Sequence, residues 1–263
     1  MGEATAFDTA AYLTRIGFVG DAPPTRRTLR NLHLAHLRSV PFEDLDVHLK
    51  RPIRLDEAAL FDKIVRRRRG GFCYELNGLF SALLRALGFG VDLLAGQFPR
   101  EDGRTAPRFD HLALAVRVPG EDGAWLADVG AGRDSPARPL PLTTGAEAWQ
   151  PEAGARFRLT AEDGALRLWR REPGGEWERR YRFTPQPHPL ADFEEGCRFH
   201  QTSPDSGFTS GRICSLATPA GRVTLSDRRL IVSEGSARTE RELPDEAAWR
   251  ATLRDRFGIE LDR

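Results

Sequence analysis

Apolar residues in the first third of the chain recur at the three-and-four spacing of helices that bury one side. The longest run comprises Leu76, Leu79, Phe80, Leu83, Leu84 and Leu87. It predicts a helix whose first turn contains Cys73. Thr25 and Asp56 precede two other apolar runs and can cap the helices that carry them. We therefore predict a helical region from Phe7 to about Leu87.

The pattern changes from about Gly90 to Thr184, where short alternating runs are separated by Gly, Pro and Asp. Examples of these runs are Phe109–Val118, Ala124–Val129, Arg156–Thr160, Leu166–Arg170 and Trp177–Phe183. Because alternate residues of a strand point to opposite faces of a sheet, this period of two predicts strands. We expect an antiparallel sheet or a small barrel in this part of the chain.

The last part of the chain mixes the two patterns. Strands are predicted at Ile213–Ala217, Val223–Leu225 and Leu230–Val232. A final helix is predicted over about 244–257, with Pro244 at its first position and Gly258 just beyond its end.

The charge balance of this 263-residue chain gives no argument for nucleic acid or membrane partners, because 39 Lys and Arg residues face 38 Asp and Glu residues. No apolar run is long enough to span a membrane, and no signal peptide pattern is present. Cys73, Cys197 and Cys214 form no CxxC pair, and the histidines show no metal-ligand spacing. We therefore expect free thiols, a cytoplasmic location and no metal site.

Cys73 is a candidate nucleophile because of its place in the predicted helix. The first turn of a helix has unpaired N–H groups and the positive end of the macrodipole, and both favour an anion such as a thiolate. Gly70 and Gly71 precede it. We expect them to allow a sharp turn with positive φ and a close approach of backbone to the sulfur.

His111 and Asp128 are polar residues inside otherwise apolar strand patterns. A carboxylate buried alone costs roughly several kcal/mol, so Asp128 needs a partner. If the two strands are neighbours, Asp128 can accept from Nδ1–H of His111 and turn Nε2 toward the Cys73 thiol, which completes a cysteine triad. The alternatives are a cysteine that is a small buried hydrophobe, a core histidine and a turn aspartate.

Five segments, in this order, resemble those of the arylamine N-acetyltransferase family. They are Val40-Pro41-Phe42-Glu43-Asp44-Leu45 (PFENL), Arg69-Gly70-Gly71-Phe72-Cys73 (RGGxC), Asp110-His111-Leu112, Asp128-Val129-Gly130-Ala131-Gly132 (DxGxG) and Gln201-Thr202-Ser203-Pro204-Asp205-Ser206-Gly207-Phe208 (QTSPxSxF). Five such matches in order are far more specific than any one of them. The resemblance supports the triad Cys73, His111 and Asp128.

The resemblance implies an α+β fold of three domains with a cysteine-protease-like arrangement of Cys, His and Asp. Residues 1–88 form a helical bundle with the cysteine, residues 89–190 an antiparallel β-barrel with the histidine and aspartate, and residues 191–263 an α/β lid. It further implies acetyl-CoA as co-substrate, no tightly bound cofactor, and an arylamine or hydrazine as acceptor. A cytoplasmic enzyme of xenobiotic metabolism, monomeric or weakly self-associating, is expected.

The same resemblance assigns further residues to the site. Substrate contacts fall on Phe42, Phe72, Gly130, Ala131 and Phe208. Glu43 and Arg69 are expected to form a buried ion pair that supports the Cys73 loop, with Asp46 as a further partner. Some contacts to CoA are not transferred, because Asp205 and Gly207 replace hydroxyl residues and residues 96–99 lack the usual Arg. The preferred acyl-CoA stays open.

Three other functions remain open. An amide synthase of the same family uses this triad to release a polyketide as a lactam, and turnover of a simple arylamine distinguishes the two. A cysteine hydrolase shares Cys, His and Asp, and peptide cleavage assays test it. An inactive binding homologue would leave Cys73 no more reactive toward iodoacetamide than Cys197 or Cys214.

Ala131 stands where many relatives carry a bulky Phe, so we predict a roomier acceptor pocket, provided that position 131 faces the cavity. Ala131→Phe should reduce turnover of bulky arylamines more than that of small ones, because the ring occupies the added space. The measurement is the ratio of kcat/KM for a bulky and a small arylamine. An unchanged ratio would contradict this prediction.

Overall fold

The computed structural model describes residues 7–100 and 106–261. Its first part contains α1 (Thr9–Arg15), α2 (Arg26–Ser39), α3 (Leu45–His48), α4 (Glu57–Phe61) and α5 (Cys73–Ala86). A π-helical turn, Asp62–Arg66, continues α4. The prediction of helices in this region is confirmed.

Two of the predicted helix starts have the expected side-chain caps. Thr25 Oγ1 accepts the N–H of Thr28 at 3.2 Å at the start of α2. Asp56 Oδ1 accepts the N–H of Ala59 at 2.9 Å at the start of α4. These bonds satisfy N–H groups that have no partner within the helix.

The central part forms an eight-stranded antiparallel sheet. Its strands are β2 (Gly90–Gln97), β3 (His111–Arg117), β4 (Trp125–Ala127), β5 (Leu140–Pro141), β6 (Glu147–Gln150), β7 (Ala155–Glu162), β8 (Ala165–Arg171) and β9 (Glu178–His188). They lie in the order β5-β4-β3-β2-β9-β8-β7-β6. Gln150 Oε1 accepts the N–H of Arg138 at 2.9 Å, and Gln150 Nε2 donates to the carbonyl oxygen of Arg138 at 3.0 Å. Because Gln150 is in β6 and Arg138 lies just before β5, these bonds link the two edge strands of the sheet. The predicted barrel is confirmed as nearly closed.

A second, five-stranded antiparallel sheet joins the two ends of the chain. It contains β1 (Phe42–Glu43), β10 (Ile213–Thr218), β11 (Gly221–Ser226), β12 (Arg229–Glu234) and β13 (Ala237–Glu242), in that order. The last two helices are α6 (Glu194–Thr202) and α7 (Glu246–Phe257). Trp249, Leu253 and Phe257 of α7 pack into the core of this sheet. The α+β fold class is therefore confirmed.

The predicted start of the last helix is wrong. Pro244 precedes the helix, and the Asp245 side chain accepts the N–H of Ala248 at 2.8 Å as its cap. An aspartate cap satisfies a free N–H, which a proline cannot do. Gly258 does follow the helix, with φ of 65°.

The packing of α5 against the barrel determines where the site lies. Leu76, Leu79 and Leu83 of α5 share a core with Leu112 and Leu114 of β3. The opposite face of β3 lies in the barrel core. β3 is therefore buried on both faces, and the start of α5 lies beside the start of β3.

Within residues 7–100 and 106–261, none of the helices has the length and apolar composition that a membrane span requires.

Candidate active site

Cys73 is the first residue of α5 and is buried. The loop that follows β4 lies directly against it. A Cβ at Gly130 would lie 2.6 Å from Cys73 Cα, so only glycine allows this approach. The helix also gains a cap from Glu75, whose carboxylate accepts the N–H of Phe72 at 3.2 Å.

His111 and Asp128 form a buried hydrogen-bonded pair. His111 Nε2 lies 2.8 Å from Asp128 Oδ2, and both side chains are almost inaccessible to solvent. The Cys73 thiol interacts with the other side of the His111 ring and contributes to the raised pKa of that imidazole. The structure therefore brings the three predicted triad residues together, with the imidazole between the thiol and the carboxylate.

The predicted roles of the two ring nitrogens are wrong. Nε2 of His111 contacts the carboxylate, which leaves Nδ1 for the thiol. The rings of Phe98 and Tyr181 enclose the imidazole at centroid distances of 5.2 and 4.6 Å. This ring packing, together with the fixed position of Asp128, determines which nitrogen faces which partner.

Asn77 and His33 hold Asp128, and the sequence reasoning missed both. Asn77 Nδ2 donates to Asp128 Oδ1 at 2.8 Å, and Gly130 N–H donates to the same oxygen at 2.9 Å. Asn77 Oδ1 accepts the N–H of Val129 at 2.9 Å. His33 Nε2 accepts the N–H of Asp128 at 3.0 Å. Asn77 lies one helical turn after Cys73, so a polar residue on that helical face was an available signal.

The electrostatics of the pair favour two charges. Burial alone would lower the pKa of His111, but the Asp128 carboxylate outweighs burial and, with the Cys73 thiol, raises that pKa to about 10. Burial alone would raise the pKa of Asp128, yet His111, Asn77 and the Gly130 N–H hold it below its ordinary value. The His111 proton therefore stabilises the fold below pH about 6.5, and this contribution is lost as the pH rises toward about 10.

Glu43, Arg69 and Asp46 form a buried ionic network under the Cys73 loop. Arg69 Nη2 lies 2.8 Å from Glu43 Oε1 and 3.0 Å from Asp46 Oδ1. Lys63, which the sequence reasoning missed, extends the network to Asp46 at 2.8 Å and Glu75 at 2.6 Å. Because Glu75 also caps α5, the network is continuous with the helix that starts at Cys73.

Neither Gly70 nor Gly71 has a positive φ, so this prediction is wrong. Glycine is needed at both positions because neighbouring atoms leave no room for a Cβ. A Cβ at Gly70 would lie 1.9 Å from the carbonyl oxygen of Pro41. A Cβ at Gly71 would lie 2.6 Å from Glu75 Oε2. The close approaches of Gly70 and Gly71 are thus to Pro41 and Glu75 and not to Cys73. The glycine that approaches the backbone of Cys73 is Gly130.

Three aromatic rings pack against the core that contains Cys73. Phe208 contacts Phe42 and Phe72 at centroid distances of 6.0 and 5.6 Å. The His200 ring lies on another side of Phe208 at 5.2 Å. Ala131 is half-buried and packs against the barrel core. Phe42, Phe72 and Phe208, which were predicted to contact the substrate, therefore pack as one aromatic cluster, in which Phe72 is fully buried and Phe42 and Phe208 are partly exposed.

The part of the chain that the structure describes contains no group of three His, Cys, Asp or Glu side chains arranged to hold a metal ion. The arrangement that is present suits nucleophilic chemistry at a thiol that has an imidazole beside it.

Comparisons with known proteins agree on one family. A family model described as N-acetyltransferase matches residues 25–263. An arylamine N-acetyltransferase of Mycolicibacterium smegmatis is 39% identical over 261 residues, which cover 97% of this chain and 93% of the relative. The solved structure of M. smegmatis arylamine N-acetyltransferase matches with a TM-score of 0.91 at 37% identity, over 97% of this chain and 93% of that one. The Mycobacterium marinum arylamine N-acetyltransferase in complex with CoA matches with a TM-score of 0.88 at 37% identity, over 96% and 93%.

We predict that Glu43→Gln lowers the free energy of unfolding by about 3–5 kcal/mol, because it leaves the buried guanidinium of Arg69 with a reduced counter-charge. Urea denaturation measures this change. Glu234→Gln, at an exposed glutamate, is the control and should unfold with the parent. A Glu43→Gln midpoint equal to that of the parent would refute the prediction.

We also predict that Asp128→Asn lowers the pKa of His111 below its ordinary value, because burial is then unopposed by a carboxylate. Titration of the histidine ring signals by NMR measures it. In the parent protein His111 should stay protonated through neutral pH. Asp192→Asn, at an exposed position, should leave this titration unchanged. A neutral His111 in the parent protein at pH about 7.5 would contradict the assignment.

Proposed function

The chain belongs to the arylamine N-acetyltransferase family and is an acyltransferase, and from this premise we propose that it moves an acetyl group from acetyl-CoA to the nitrogen of an arylamine or arylhydrazine. The acetyl group passes through a thioester on Cys73, in a ping-pong sequence. The observation that carries this proposal is the buried Cys73 thiol beside the charged His111–Asp128 pair. The CoA complex of the M. marinum relative supports the choice of donor.

In the first half-reaction, the His111 imidazolium and the start of α5 stabilise the Cys73 thiolate. The sulfur attacks the carbonyl carbon of the CoA thioester and forms a tetrahedral intermediate. The bond from this carbon to the CoA sulfur then breaks, and His111 gives its proton to the leaving CoA thiolate. One thioester replaces another, and His111 is left neutral.

In the second half-reaction, the acceptor nitrogen attacks the acetyl carbon on Cys73. Aromatic amines and hydrazines are weak bases, so their nitrogen carries a free electron pair near neutral pH. Neutral His111 takes the proton that the nitrogen loses, and the bond from carbon to the Cys73 sulfur breaks. The amide leaves, and the thiolate and imidazolium are restored.

The oxygen of each tetrahedral intermediate needs hydrogen-bond donors. The N–H groups of Cys73 and Tyr74 are in the first turn of α5, where no intrahelical acceptor is available. We assign them to the oxyanion, where removal of one donor typically costs about 100-fold in rate. Phe42 and Phe208, the partly exposed rings of the aromatic cluster, suit a flat acceptor beside the thioester.

An amide synthase that forms a lactam is the second candidate, and Ala131 favours it because a small side chain leaves room for a large substrate. Acetylation of a simple arylamine such as aniline distinguishes the two functions. An arylamine N-acetyltransferase turns aniline over with acetyl-CoA, whereas a dedicated amide synthase does not.

The proposal predicts one acetyl adduct on the protein after mixing with acetyl-CoA alone, because the acetyl group waits on Cys73 when no acceptor is present. Intact mass spectrometry measures it. The adduct should be absent in Cys73→Ala and present in Cys197→Ala, the control at a buried thiol with a strongly raised pKa. Addition of an arylamine should remove it. Failure to form the adduct, or its persistence in Cys73→Ala, would refute the proposal.

A further inference from the structure

We propose that Arg222 of β11, with the exposed Arg133 beside it, binds the diphosphate of the acyl-CoA donor. This inference rests on the proposed function, since it concerns the donor of that reaction. It assigns the anionic part of the donor to the side of the site formed by the second sheet.

Arg222 is a cation with two neutral partners. Its Nη1 donates to Ser215 Oγ at 3.0 Å, and its Nη2 donates to the carbonyl oxygen of Gly132 at 3.0 Å. Across residues 7–100 and 106–261, no carboxylate lies within ion-pair distance of its guanidinium. Burial lowers the pKa of Arg222 to about 10, so it remains charged at neutral pH. Such a charge is stabilised by an anion that brings its own hydrogen-bond acceptors.

The surroundings of Arg222 carry more positive than negative charge. Four arginines meet three carboxylates at this edge of the barrel. The arginines are Arg133, Arg170, Arg180 and Arg222, and the carboxylates are those of Asp134, Glu172 and Glu178. Asp134 lies 3.1 Å from Arg180, and Glu172 lies 2.7 Å from Arg170. Both carboxylates thus pair with other arginines, and neither forms an ion pair with Arg222.

The position of Arg222 relative to the thiol suits a CoA thioester. Gly130 abuts Cys73, and Gly132 is the residue whose carbonyl Arg222 binds. Gly130 and Gly132 are two positions apart in the chain, so their Cα atoms lie at most about 7 Å from each other. The pantetheine arm between the thioester and the diphosphate spans this separation with room to bend. A donor that enters along the Gly130–Gly132 loop therefore brings its phosphates to Arg222.

The cluster remains open to a ligand. Arg222 is half-buried, and the Arg133 side chain is 60% exposed. A phosphate oxygen can accept from a guanidinium without displacing the bond to Gly132, because each guanidinium has five N–H donors. Arginine is also the residue best suited to bind phosphate through paired donors.

The test compares two acetyl donors with Arg222→Gln: acetyl-CoA, which carries phosphates, and p-nitrophenyl acetate, which carries none. The readout is the rate at which Cys73 gains an acetyl group. The loss of kcat/KM with acetyl-CoA should exceed the loss with p-nitrophenyl acetate by about tenfold, the size of one charge-assisted contact. Arg222→Lys, which retains the charge but not the paired donors, should recover part of this difference. Arg229→Gln, at an exposed arginine on the same sheet, is the matched control.

Inorganic pyrophosphate provides a second readout that does not depend on how a variant folds. In the parent protein it should inhibit acetylation by acetyl-CoA competitively and should leave p-nitrophenyl acetate unaffected. Equal losses with both donors would identify Arg222 as a brace between the sheet and the loop, and would overturn the inference. Unchanged kinetics with both donors would overturn it as well. If neither donor acetylates Cys73, it is the proposed function that fails.

Discussion

The structure depends on a carboxylate buried without access to water. Asp128 is fully buried, and a charge in such a place is stable only beside a cation and with its other oxygen hydrogen-bonded. His111 supplies the cation, and Asn77 with the Gly130 N–H supplies the other bonds. The pair raises the pKa of His111 to about 10, so a positive charge lies beside the Cys73 thiol at neutral pH.

The remaining fold can be understood as the support for this arrangement. Asn77 and Cys73 belong to the same helix, so the bonds from Asn77 hold the loop after β4 against the helix that carries the nucleophile. On the other side, the buried network around Arg69 fixes the turn that leads into Cys73. The thiol, imidazole and carboxylate come from three separate elements, and these contacts keep them in register.

The sequence predicted those features that have a local signal. Apolar spacing and the caps at Thr25 and Asp56 marked the helices, and a polar histidine and aspartate in apolar strands marked the site. Among the elements that were not predicted, α6 and β13 had no such signal. Residues 194–202 of α6 contain a glycine and few apolar side chains, and β13 is exposed along its whole length. Edge strands of this kind carry charges that discourage pairing with other chains, and these charges remove the alternating pattern.

Other features depend on contacts between distant residues. Neither the nitrogen of His111 that meets Asp128 nor the link from Lys63 to Glu75 follows from spacing along the chain. Likewise, Gly70 and Gly71 were expected to need positive φ, whereas their neighbours Pro41 and Glu75 leave no room for a Cβ. These are tertiary constraints, and they appear only when the elements are packed together.

The most direct test of the account is the rate at which iodoacetamide alkylates Cys73 at neutral pH, compared between the parent protein and His111→Phe. The account predicts that Cys73 reacts faster than Cys197 and Cys214 in the parent protein, because a positive imidazole lies beside it, and that His111→Phe removes this advantage. A Cys73 that reacts no faster than the other two cysteines, at a rate unchanged in His111→Phe, would contradict the charge pair at the centre of the site.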